Sequence, residues 1–320
     1  NGGRVSEARR KLVEASIEKL GYQVNTLAKG MRMQKTDYVV VILPNLINPY
    51  FALLLDALES ELSAVGKQVL LCLSGDDAER EVAFMDMAKQ NKVDGIIGVT
   101  YSKVEEERIE NMAFVSIDRH YKSHIPCVAG DNWQGGWLAA ENLHKRGSTN
   151  LLCFMTMSSV DSEVRKRRVG FTEYCMEHDL SCNSVEMSEK QIVSVYESYG
   201  SRKLIHNMLR AYISPSMGEH SIDGIFTSSD HLATIVREEL EEMGKRVPED
   251  IQIIGYDGLQ FLNQGKPIVS SIAQPVHEIA KEAVRCLNEL IANGKTEGNT
   301  KIPVSFQEGP TTKTLVTEEK

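Results

Sequence analysis

The sequence has no apolar run approaching the roughly 20 residues a membrane-spanning helix needs, and its N-terminus shows no apolar leader. No GxGxxG follows a strand-like run and no GxxxxGK(S/T) occurs, so neither common phosphate cradle for a nucleotide is present. No CxxC occurs either. The six cysteines (Cys72, Cys127, Cys153, Cys175, Cys182 and Cys286) are scattered, so no zinc knuckle or redox motif is indicated. Several sit inside apolar runs such as Val69–Leu73, where they read as buried free thiols of a reducing compartment. His120 and His124 are four apart, but Pro126 and polar neighbours place them in a loop, where no helix aligns them on a metal. No GxSxG elbow accompanies the scattered serines, histidines and aspartates. These absences remove the usual grounds for an enzyme, a metal centre, an organic cofactor or a membrane protein.

What is present is a chain of 320 residues, long enough for two domains with sizeable cores. Its net charge of −9 hides an asymmetry: residues 1–35 hold eight Lys/Arg against three Glu, and the remainder is strongly acidic. A basic arm on an acidic body points to a polyanionic partner for the arm alone, or to a solvated basic helix. Residues 6–20 read as a helix, with Leu12, Val13, Ile17 and Leu20 on one face and Gly21 as a stop. A short second helix from Asn25 through Met33 contains Gly30 and is marginal alone.

From Tyr38 onward apolar strand-like runs alternate with amphipathic helical stretches. The expected strands are 38–43, 69–74, 95–99, 113–117, 127–129, 151–155, 222–227, 251–255 and 269–272. The expected helices lie near 50–65, 78–90, 134–145, 164–178, 202–212, 231–243 and 277–292. Continuous apolar strands separated by helices imply parallel sheets covered on both faces, an α/β architecture, and the length favours two such sheets.

Four stretches, taken in their order and spacing, resemble the LacI/GalR family of transcriptional regulators. They are Val5–Glu7 through Leu20–Ala28; Val41–Asn45 with Asn48–Phe51; Ser116–Arg119 through Gly130–Asn132 and Gly135 to Leu138–Ala140; and Asp223–Asp230 followed by Arg246–Ile251, Gly255–Asp257 and Gln274–Pro275. The resemblance implies two doubly wound parallel-sheet subdomains of the type I periplasmic-binding-protein kind, preceded by a remnant helical headpiece and hinge helix. The expected organisation is 1–35 for headpiece and hinge, 37–146 with 276–302 for one sensor subdomain, and 147–274 with 303–320 for the other. Family members carry about twenty further residues forming a helix-turn-helix, so the chain as given is expected not to read DNA specifically.

The resemblance further implies a cytoplasmic homodimer acting on a pseudo-palindromic operator under control of a small effector, most naturally a sugar. In the hinge, Met31 matches the apolar wedge of the minor groove, with Asn25, Lys29 and Arg32 facing phosphates. The plainer reading makes Met31 a surface residue of a linker. In the cleft, Arg167 matches a clamp on ligand hydroxyls, although the run Arg165–Arg168 also reads as a solvated helix face. Ser229, Asp230 and Asp257 match acceptor positions at strand ends, where open α/β sheets bind ligands. Helix N-capping is the alternative for Asp230. Gln134 and Gln274 match further cleft positions. Tyr50 and Phe51 match an aromatic pair of the cleft floor, with core packing as the alternative, and Tyr196 (or Tyr199) matches the stacking aromatic. The rival reading is a solute-binding protein of a sugar transporter, which shares the core fold.

Overall fold

A computed structural model of the chain describes residues 6–20, 36–75, 77–102, 109, 112–121, 125–157, 160, 162–188, 191–192, 194–195, 202–213, 221–259, 264–296 and 298–315. Among them run, in order, α1 (Glu7–Leu20), β1 (Tyr38–Leu43), α2 (Pro49–Ala64), β2 (Gln68–Leu73), α3 (Ala78–Gln90), β3 (Gly95–Gly98), β4 (Phe114–Ile117), β5 (Cys127–Gly130), α4 (Asn132–Lys145) and β6 (Asn150–Met157). Then follow α5 (Lys166–Glu177), β7 (Ser181–Ser188), α6 (Lys203–Ile213), β8 (Gly224–Thr227), α7 (Asp230–Glu242), β9 (Gln252–Asp257), β10 (Ser270–Ala273), α8 (Val276–Asn293), β11 (Thr300–Ile302) and β12 (Ser305–Gln307).

These strands form two six-stranded sheets, ordered β11-β5-β4-β3-β1-β2 and β12-β10-β9-β8-β6-β7. Every pairing is parallel except β10 with β12. The all-apolar strands are explained by burial on both faces. Along β1, Val39, Val41 and Leu43 enter the core under α2 and α8, while Val40 and Ile42 enter the core under α3. Along β6, Leu151, Cys153 and Met155 face α4 and α5, while Leu152 and Phe154 face α6 and α7. Successive side chains point to opposite faces, so a strand sandwiched between helices must be apolar at every position.

Local signals set the helix starts. Asn48 caps α2, its side chain accepting from the Tyr50 N–H, and Pro49 occupies a first-turn position, where a missing N–H costs nothing. Ser229 caps α7 in the same way, its hydroxyl accepting from Leu232 N at 3.1 Å.

The chain crosses between the lobes three times: after β5, between β10 and α8, and between β11 and β12. The first crossing lies earlier than the boundary at 146 expected from sequence. Ala139, Ala140 and Leu143 of α4 pack on the second sheet, so the chain leaves the first lobe directly after Gly130. Three elements were not expected at all: the edge strand β7 and the short β11 and β12. β7 (SCNSVEMS) is largely exposed and polar, so no apolar run announces it, and its pairing with β6 makes it a strand. The face of α1 that sequence marked as apolar stands open, with Leu12 68% and Leu20 79% exposed. The hinge residues Asn25, Lys29, Met31 and Arg32 lie outside the described residues. Among the described residues, no helix is long and apolar enough to cross a membrane.

Candidate functional site

The C-terminal ends of β4 and β9 face one another across the lobes, and each ends in an aspartate. Asp118 follows β4 with φ +60° and Asp257 ends β9 with φ +118°. Positive φ is uncommon away from glycine and carries strain, a feature that gathers at ligand sites. Between the two carboxylates lies the Arg167 guanidinium, 4% exposed, projecting from the first turn of α5. Its Nε–H donates to Asn132 Oδ1 at 2.6 Å and its Nη1–H to the Ser228 carbonyl at 2.8 Å. The guanidinium lies 3.5 Å over the Tyr256 ring, a cation–π stack. Asn132 in turn donates to the Gly130 carbonyl at 2.9 Å. Arg167 is thus fixed by partners from α4, β9 and the end of β8, with Asn132 tied in turn to the end of β5, and its alternative as a solvated helix face does not hold.

Two glycines make that placement possible. A Cβ on Gly136 of α4 would stand 1.8 Å from the Arg167 carbonyl oxygen, and one on Gly170 of α5 would stand 2.0 Å from the Trp133 carbonyl oxygen. The helices therefore cross backbone against backbone, which sets the root of the Arg167 side chain. Gly135 leaves room for the Tyr256 ring and hydroxyl, which a Cβ would approach to 2.7 Å.

Several buried polar atoms here have no hydrogen-bond partner among the described residues: Tyr50 Oη, Tyr256 Oη, Asp257 Oδ2 and Gln274 Oε1. The other Asp257 oxygen accepts from Gln274 Nε2 at 2.9 Å. Burial pushes the Asp257 carboxyl up to about 7, against the pull of Arg167, and pushes Asp118 up to about 6 for the same reason. Burial, followed by the charges of Asp118 and Asp257, raises the Tyr50 hydroxyl well above its ordinary value. Arg167 stays protonated because Tyr256, Asp257 and Asp118 outweigh the cost of its burial.

The other sequence-expected residues divide. Tyr50, Arg167, Asp257 and Gln274 share this cluster. Asp230, the first residue of α7, is buried behind it, its Oδ2 accepting from Leu259 N at 2.7 Å. Burial and the neighbouring Asp257 charge raise its pKa well above the ordinary carboxylate range. The N-cap is Ser229, so that alternative for Asp230 falls to its neighbour. Phe51 packs edge-on against Tyr50, with centroids 5.6 Å apart, inside the first lobe's core. Gln134 is turned to the third crossing, its Oε1 accepting from Val304 N at 3.0 Å. Tyr196 and Tyr199 lie outside the described residues.

Sequence reasoning passed over Asp118, Asn132 and Tyr256 as site residues, although each stood in a stretch that carried the family resemblance. It also missed Glu163, which no motif marks. Glu163 is 1% exposed and joins the lobes: its backbone N–H donates to the Asp118 carbonyl at 2.9 Å. Its carboxylate meets His120, Lys166 Nζ at 2.5 Å and Lys301 Nζ at 3.8 Å. Burial alone would raise its pKa, but hydrogen bonds with Lys166 and His120 and the charges of Lys166 and Lys301 hold it below the ordinary value.

Known proteins resemble this arrangement throughout its length. The family model of a periplasmic-binding-protein-like domain matches residues 140–312. The sucrose operon repressor of Pediococcus pentosaceus is 31% identical, over 97% of this chain and 92% of that protein. The ribose operon repressor of Halalkalibacterium halodurans is 29% identical, over 89% of this chain and 82% of that protein. Among solved structures, a periplasmic binding protein/LacI transcriptional regulator from Alkaliphilus metalliredigens, complexed with D-xylulofuranose, superposes with a TM-score of 0.73. It is 26% identical and covers 87% of this chain and 100% of its own. With two mostly parallel six-stranded sheets joined by three crossings, and relatives of this kind along nearly its whole length, the chain belongs to the LacI family of transcriptional repressors.

Proposed function

We propose that this protein is a DNA-binding repressor whose affinity for its operator is set by a neutral sugar held between the two lobes. The observation that carries this reading is the set of buried, unpartnered atoms Tyr50 Oη, Tyr256 Oη, Asp257 Oδ2 and Gln274 Oε1 around Arg167. A buried polar atom without a partner costs about 1–3 kcal/mol, and a ligand rich in hydroxyls satisfies hydroxyl, carboxylate and amide together. The charge count among the described residues favours a neutral ligand over an anion, since Asp118 and Asp257 both face the Arg167 cation there. The relatives named for sucrose and ribose operons, and the structure holding D-xylulofuranose, support the sugar class.

Binding across the lobes closes them on the ligand, and the Asp118–Glu163 contact and the three crossings carry that closure toward the arm. The arm contributes Met31 as wedge and Asn25, Lys29 and Arg32 as phosphate contacts, in a cytoplasmic homodimer. The dimer surface is the edge of the first lobe, where Leu70 and Leu71 of β2 and Val65 after α2 stand 37%, 39% and 50% exposed.

A thermal-shift panel of neutral sugars, sugar phosphates and purines tests the ligand reading, because a ligand that binds only the folded state raises Tm by mass action. At least one neutral sugar is expected to raise Tm. Tyr50→Phe, which removes only a buried hydroxyl without a partner among the described residues, is expected to weaken that response while raising the ligand-free Tm. A response confined to purines or phosphates would overturn the sugar assignment.

A further inference from the structure

Beside Arg167 the two lobes touch along a short seam. The turn after β4 runs antiparallel to the segment before α5, with Arg119 bridged to Ser162 and the Glu163 N–H donating to the Asp118 carbonyl at 2.9 Å. A rung of neutral hydrogen bonds is a weak tie, because water offers the same partners once the lobes part. The charge of the seam is gathered in one buried side chain. The Glu163 carboxylate meets Lys166 Nζ of α5 at 2.5 Å, His120 of the turn after β4, and Lys301 Nζ of β11 at 3.8 Å. Burial works against that charge, but the bonds with Lys166 and His120 and the charges of Lys166 and Lys301 keep the carboxyl below its ordinary value, so it is ionised at neutral pH. Asp118 is a like charge facing it across the seam. Lys301 stands where β11 leads into the third crossing, and the next residue, Ile302, accepts from Asp131 N at the first crossing, at 2.7 Å. Glu163 therefore touches both the wall of the Arg167 cluster and a strand that feeds a crossing.

We propose that Glu163 is a charged latch, a positioning residue whose carboxylate holds Asp118, His120 and β11 of the first lobe against α5 of the second and so governs how readily the lobes part. Its lever is the pair of lysines. Lys166 and Lys301 come from opposite lobes and converge on the same carboxylate. With the negative charge between them, the lobes are drawn together. With that charge removed, two like charges face each other across the seam and push the lobes apart. Both lysines are partly exposed, so solvent tempers either force. The latch also fixes the backbone at Asp118, the residue with φ +60° that faces Arg167, and in this way the opening of the lobes and the shape of the site are one event. The proposal rests on the reading that the lobes part and close over a ligand.

The test is hydrogen exchange of the full chain at neutral pH, resolved to single amides and with no ligand added. The amide of residue 163 reports the seam, and the amides of β8 and β9, paired inside the second sheet, report global unfolding. Glu163→Gln keeps the shape and the backbone bond but not the charge. Protection at residue 163 is expected to fall about tenfold while β8 and β9 keep theirs. Lys301→Met is expected to lower it by less, because His120 and Lys166 remain. In the Glu163→Gln background the same Lys301→Met is expected to restore protection, since it removes one of the two repelling charges. A side chain that only fills space gives no such reversal of sign. Equal losses at residue 163 and in β8 and β9 would overturn the proposal. So would unchanged protection in Glu163→Gln, or a Lys301→Met effect of the same sign in both backgrounds. Should Glu163→Gln fold poorly, Lys301→Met alone decides, and unchanged protection at residue 163 then sinks the latch. Because no ligand is used, failure here leaves the sugar reading standing, to be judged by the thermal-shift panel.

Discussion

Asp94 and Asp257 are both buried carboxylates at strand ends, and they behave in opposite ways. Asp94 precedes β3 at the end of the first sheet remote from the cleft. It takes the Lys67 ammonium at 2.7 Å and the Thr36 N–H at 2.8 Å, each on a different oxygen. Burial alone would raise its pKa, but those donors overcome it and hold the carboxyl below its ordinary value. Asp257 ends β9 beside Arg167, has one oxygen satisfied by Gln274 and the other by none of the described residues, and is pushed up to about 7. At Asp94 the chain supplies a partner for each carboxylate oxygen. Beside Arg167 it leaves Asp257 Oδ2 without a partner among the described residues, which supports the proposal that a ligand completes the site.

The largest expected effect lies with the closed pair, whose side chains are 6% and 3% exposed. Asp94→Ala leaves the Lys67 ammonium buried and uncompensated and should cost about 3–5 kcal/mol, read from urea denaturation. The double variant Lys67→Met/Asp94→Leu should recover most of it. A loss near zero for the single variant would place the pair among surface ion pairs and dissolve the contrast.

Next in size is Gly136→Ala. In an open helix this change gains about 1 kcal/mol, but here the new methyl meets the Arg167 carbonyl at 1.8 Å. The expected sign is reversed, a loss of about 1–3 kcal/mol, together with a weakened ligand response because α5 and Arg167 are displaced. A stabilised variant with full ligand response would show that the helix crossing does not position the clamp.

The comparison is sharpened most directly by Asp257→Asn. At pH 8 it removes a buried charge that the free protein tolerates poorly, so the ligand-free Tm should rise. Ligand affinity should fall at least tenfold, about 1.4 kcal/mol, measured by calorimetry. A lower Tm with unchanged affinity would make Asp257 a structural residue like Asp94.

The smallest effect is a pH dependence. A carboxyl whose pKa is raised by folding binds its proton more tightly in the folded state. The ligand-free protein should therefore lose stability as pH rises from about 4 through about 6 for Asp118 and about 7 for Asp257. Asp94 works the other way, its contribution present above its unfolded value and lost as pH falls through its depressed folded value. Asp257→Asn should flatten the profile between pH 5 and 7 in particular, and a profile unaltered by that change would contradict the assignment.

The alternation of apolar runs with amphipathic stretches fixed the class, because a strand buried on both faces must be apolar throughout and its covering helices must be amphipathic. Nine of the strands and all the core helices were legible on that ground. β7 was not, since an edge strand exposed on its faces needs no apolar run, and β11 and β12 are three residues each. Tyr50, Asp257 and Gln274 could be named from sequence because they stand in stretches whose order and spacing resemble a known family, and Arg167 because it precedes Gly170–Phe171 by three residues in a matching way. Gln134 was named on the same ground, yet its side chain is turned to Val304. What no linear pattern contained was the meeting of distant segments. Glu163 with His120 and Lys301, and Lys67 with Asp94, are brought together by crossings and strand order. Hydrogen bonds and ionisation depend on distances of a few ångströms, and distances between remote segments exist only once the chain has folded.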